Sequence, residues 1–120
     1  MQDTPADILV KSSFFAIPVT PEVGSLHNPL QYIKANCREE DFVVFKLDID
    51  TPAVETALAW QLLDADIAHL IDEFYFEDHV SGSPMCFMGW TWGWKDHDLA
   101  TSIKYFQDLR KLGIRAHSWV

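Results

Sequence analysis

The stretch Asp41–Glu55, DFVVFKLDIDTPAVE, decides the fold. Phe42–Leu47 is a run of β-branched and aromatic residues interrupted only by Lys46. Such a run suits a strand buried on both faces, as at the centre of a parallel sheet. Pro52 then takes a first helical position, with Thr51 as N-cap and Glu55 in the first turn,. A strand that passes through a short acidic loop, Asp48–Asp50, into a helix opens a βαβ unit. In open α/β sheets, ligands bind beyond the carboxyl ends of such strands.

Downstream, Val54, Ala57, Leu58, Leu62, Ala65 and Ala68 keep a spacing of three to four residues. Asp64–Asp66 divides this segment into a long helix and a short one, Ile67–Ile71. Glu73–His79, EFYFEDH, reads as the next strand,. A loop over Val80–Lys95 leads to a helix capped by Asp96 or Asp98, with the stripe Leu99, Ile103, Phe106 and Leu109 or Leu112,. Gly113 ends it, and Ile114–Val120 is a last strand,. Upstream, Asn28-Pro29 starts a helix to about Asn36 that buries Leu30 and Ile33,. Asp7–Val19 is expected to be extended, at an edge because Pro18 cannot donate to a ladder,.

Strand, helix, strand, helix, strand predicts parallel pairing with right-handed crossovers. The expected class is α/β: a partial Rossmann-like three-layer sandwich, with a mostly parallel sheet and helices on both faces. The whole chain, residues 1–120, is read as one domain, and an incomplete one.

Composition narrows the function. With 48% hydrophobic residues in 120, the chain can build a core,. A net charge of −9 argues against nucleic acid or an anionic membrane as partner, since phosphate contacts need basic patches,. No apolar run reaches 18 residues,. Cys37 and Cys86 are two and far apart, which fits a reducing, cytoplasmic compartment,.

Chemistry-bearing residues gather at the expected strand ends. Asp48 and Asp50, two apart, point the same way on a strand and are catalytic candidates together with Glu77 and Lys46,. The alternative for the carboxylates is capping of the next helix. Lys46 either reaches the cleft to pair with Asp48 or Glu77, or snorkels past the sheet edge. Glu77, Asp78 and His79 join Asp48 and Asp50 in a constellation of four carboxylates and one histidine, suited to acid–base work or a divalent ion,. Zinc-type spacing is missing, because His69, His79, His97 and His117 are dispersed, and no metal is expected,. His79, Trp90 and Trp92 are substrate-binding candidates. The loop Met85–Trp94, with Trp90, Trp92 and Trp94 alternating, offers stacking surfaces for a sugar or aromatic group, or a hydrophobic flap,.

The run Val44-Phe45-Lys46-Leu47-Asp48-Ile49-Asp50, followed by a helix with Glu55 near its start, resembles the central strand of FkbM-type S-adenosylmethionine-dependent methyltransferases. The likeness extends over Phe42–Val120. Asp50 stands where that family usually has Glu, and Thr51-Pro52 where glycine commonly follows. The resemblance implies S-adenosylmethionine as cofactor, a small-molecule or glycan acceptor, and Asp48, Asp50 and Glu77 as cleft residues. The Gly-rich cofactor turn of such a fold is not found in the N-terminal third, where Gly24 stands alone,. The expectation is therefore the C-terminal portion of a methyltransferase domain, inactive or weak alone and prone to self-association through an exposed sheet edge. The alternative is a non-enzymatic module that uses the acidic rim and the Trp-rich loop to hold a carbohydrate or protein.

Overall fold

The computed structural model of the chain describes residues 4–81 and 97–119. In chain order they form α1 (Ala6–Leu9), α2 (Pro29–Asn36), β1 (Val44–Leu47), α3 (Pro52–Gln61), α4 (Ala65–Ala68), β2 (Glu73–Phe76), α5 (Leu99–Lys111) and β3 (Arg115–Ser118). The three strands make one parallel sheet in the order β1-β2-β3. Val44 lies beside Glu73 and Leu47 beside Phe76; Glu73 lies beside Arg115. The class is α/β, as the sequence predicts.

Local chemistry sets the helix ends. Asn28 accepts a bond from the Leu30 amide at 2.9 Å, with Pro29 at the first helical position,. Asp98 accepts from the Thr101 amide at 2.7 Å and opens α5. Asp64 opens α4 by accepting from Asp66. Gly113 closes α5 at φ +97, a left-handed position that glycine adopts freely,.

Alternation divides the sheet into two faces. Leu47, Phe74, Phe76 and Ala116 are buried, and Phe45 stacks on Phe74. Helices α3 and α5 cover this face and touch each other. The Tyr105 hydroxyl donates to the Ala59 carbonyl at 2.6 Å, and its ring meets Phe76 and Trp60 edge-on. Leu30 and Ile33 of α2 complete the core. Asn28 and Gln61 tie α2 to α3 at 3.0 Å, and Gln61 donates to the Pro21 carbonyl. The other face carries Val44, Lys46, Glu73, Tyr75, Arg115 and His117. There Tyr75 stacks on His117, and Glu73 meets His117 at 3.0 Å and Arg115 at 3.7 Å.

Four expectations change. Both crossovers step in the same direction along the sheet, so right-handed connections put α3 and α5 on one face; among the described residues, no helix covers the other. Among the described residues β1 is an edge strand, and Phe42 and Val44 point to the uncovered face, which leaves them 63% and 52% exposed instead of buried. Residues 7–19 hold the single turn α1 and then no regular structure. Ser12 bonds back to the Ile8 carbonyl, which favours a local turn over an extended segment,. In α5 the buried line is Ser102, Tyr105, Phe106 and Leu109, while Leu99 and Ile103 are exposed. Ser102 turns inward because its hydroxyl donates to buried Asp78, and that bond sets the helix phase.

Candidate functional site

The carboxyl ends of β1 and β2 lie side by side, because Leu47 pairs with Phe76. The β1–α3 loop turns sharply there. Asp50 has φ +54, in the left-handed region that Asp tolerates better than most residues,. Glu55 holds the turn. Its carboxylate is 1% exposed and accepts the Ile49 amide at 2.9 Å and the Thr51 amide at 3.1 Å. The cap role expected of the Thr51 side chain passes to Glu55, and the Thr51 hydroxyl donates to the Ile49 carbonyl instead. Two carboxylate oxygens thus satisfy two loop amides just ahead of a helix N-terminus, where negative charge is favoured.

Asp48, Asp50, Glu77 and His79 meet on this rim, with Lys46 beside them. Lys46 Nζ reaches Asp48 at 2.6 Å, and Asp48 lies close enough to Glu77 for the two carboxyls to influence each other's proton affinity. The Lys46 ammonium, then the bond with Glu77, hold the Asp48 carboxyl below its ordinary range. Burial, then the bond with Asp48, push Glu77 up. The two carboxyls are therefore driven apart in proton affinity, the pattern expected when one proton serves two neighbouring acids. His79 Nε2 lies 3.5 Å from Glu77 Oε2, and its ring is nearly buried. Ligating atoms of Asp50, Glu77 and His79 all lie within 4.8 Å of one another. Lys46 is half exposed on the open face, with its ammonium 4.8 Å from the Trp119 ring, so it supports Asp48 from the side.

Asp78 does not join them. It is 3% exposed and turned toward the helices, bonded to Ser102 and paired with His97 Nε2 at 2.7 Å. Burial, then the charge of Asp78, push the Tyr105 phenol up. The expected four-carboxylate constellation thus separates into a rim group and a buried anchor. Ser102 and His97 escaped the sequence reading as partners of Asp78, since a lone Ser on a helix carries no signal of a contact so distant in the chain. Trp90 and Trp92 fall outside the described residues, as does the rest of Met85–Trp94.

No family model, curated protein or solved structure matches this chain. The fold therefore rests on its own geometry, and so does the site. Gly24 and Gly113 sit in left-handed turns with nothing within 4 Å of where a side chain would start. Ahead of β1 the described residues form α1 and α2, with no strand and Gly-rich turn to cradle a cofactor,. Among the described residues no helix is long and apolar enough to cross a membrane.

Proposed function

We propose that the described residues form the acceptor side of a Rossmann-like group-transfer domain of the methyltransferase kind, and that they do not hold the methyl donor. One observation carries the reading: the Asp48 and Glu77 carboxyls are neighbours at the carboxyl ends of two adjacent parallel strands, with the Lys46 ammonium 2.6 Å from Asp48. That is where open α/β sheets bind their ligands. A small-molecule or glycan hydroxyl docked on the pair donates to a carboxylate oxygen and passes its proton there during transfer. Lys46 keeps Asp48 ionised, and Glu55 fixes the loop so that the carboxylates hold their positions,.

The reading extends to a three-layer arrangement. In it the open face over Tyr75, His117 and Trp119 would be covered as well. Cys37 is a free thiol, in keeping with the reducing, cytoplasmic setting of this reading,.

The test is calorimetric titration of a panel of small-molecule and glycan hydroxyl compounds into the protein and into its Asp48→Asn variant. Binding of one acceptor class by the wild type, weakened by Asp48→Asn, is the expected result. No binding, or binding indifferent to Asp48→Asn, overturns the proposal.

A further inference from the structure

We propose that Asp50, Glu77 and His79 form a site for one first-row divalent transition ion. This inference goes beyond the acceptor reading and does not rest on it. Two carboxylates and one imidazole, from two neighbouring strand ends, converge with all three ligating atoms within 4.8 Å of one another. Atoms bound to one ion at about 2.0–2.2 Å stand roughly 3–4.3 Å apart. The observed spread therefore closes with small side-chain rotations and no backbone change.

The frame is already built. Glu77 and His79, two residues apart where β2 ends, turn to the same side, and His79 Nε2 approaches Glu77 Oε2 at 3.5 Å. Asp50 is set in its left-handed turn by the loop that Glu55 clamps through the Ile49 and Thr51 amides. His79 is 6% exposed and Asp50 is exposed, so one side of the group is protected and the other is open for water or a substrate oxygen. The mixed donor set selects the ion class. The imidazole suits Zn²⁺, Fe²⁺ or Ni²⁺, and the two carboxylates also admit Mn²⁺, whereas Mg²⁺ and Ca²⁺ are held by oxygen alone.

Mn²⁺ is the probe. Free hexaaquo Mn²⁺ is followed by electron paramagnetic resonance as MnCl₂ is added to the whole protein. One ion should bind per chain, and excess Mg²⁺ should displace it poorly. Asp50→Asn keeps a residue that tolerates the left-handed turn, and should weaken binding about tenfold or more with an unchanged urea midpoint. His79→Gln, checked for folding by circular dichroism, should do the same. Glu39→Gln with Glu40→Gln, acids away from the rim, should leave binding unchanged. Three results overturn the site: no stoichiometric binding, binding indifferent to Asp50→Asn and His79→Gln, or binding lost equally with the Glu39/Glu40 changes, which marks diffuse attraction to an acidic surface.

Discussion

Glu55→Gln isolates the clamp on which the rim depends. In the native protein one buried carboxylate accepts two amides, at 2.9 Å from Ile49 and 3.1 Å from Thr51. Glutamine keeps shape and volume but exchanges one oxygen for an NH₂. Whichever way the amide turns, one loop N–H faces a donor. A hydrogen bond to a charged group contributes about 1.5–3 kcal/mol, and a buried amide left without a partner costs about 1–3 kcal/mol. These overlap in one interaction, so the expected loss is about 2–3 kcal/mol, a large part of the roughly 5–15 kcal/mol that holds a small domain folded. With a urea slope of about 1–3 kcal/mol per molar, the midpoint should fall by roughly 1–2 M. Glu55→Ala, which frees both amides and opens a cavity, should cost more, about 3–5 kcal/mol. Urea unfolding followed by far-ultraviolet circular dichroism measures both. A Glu55→Gln protein within about 0.5 kcal/mol of wild type would refute the clamp, because a surface substitution has effects of that size.

Three further outcomes are expected. Ser102→Ala leaves an oxygen of buried Asp78 without its donor and should destabilise by about 1–3 kcal/mol in the same urea assay, while Ser12→Ala, on an exposed turn, should be near neutral,. The Asp98 carboxyl is held below its ordinary range by the Thr101 amide, so it contributes stability above the ordinary carboxylate pKa of about 4 and loses it as pH falls through the lower folded value,; the difference in urea midpoint between wild type and Asp98→Ala should shrink on going from pH 6 to pH 2.5. The outer edge of β1 and the exposed Phe42 and Val44 should drive concentration-dependent self-association in sedimentation, reduced by Val44→Lys; a monomer at all concentrations contradicts this,.

Signals confined to a few neighbouring residues were legible. Asn28 with Pro29, Asp98 before α5 and Gly113 after it each act through bonds to amides close in sequence, and each sits where the pattern places it. The parallel sheet was legible too, since alternating strand and helix patterns leave little else. What depended on partners far along the chain was not. Phe42–Leu47 is apolar enough for a central strand, but its burial is set by what lies over and beside it, and among the described residues β1 has a neighbour on one side only and no helix over the face of Phe42 and Val44. The phase of α5 follows from Ser102 meeting Asp78, a contact no periodicity encodes. Of the rim residues, Asp48, Asp50, Glu77 and His79 were named from strand-end position alone. Their division from Asp78 emerged only with the alternation of residues 77–79 about the end of β2.

Transfer of a labelled methyl group from S-adenosylmethionine to a panel of hydroxyl compounds, catalysed by the protein, tests the rim most directly. Wild type should label one class of acceptor. Asp48→Asn should lose at least about a hundredfold in rate, the usual scale for a positioned proton acceptor, while donor binding by calorimetry stays the same. Transfer undiminished by Asp48→Asn would contradict the assignment of the Asp48–Glu77 pair as the acceptor site.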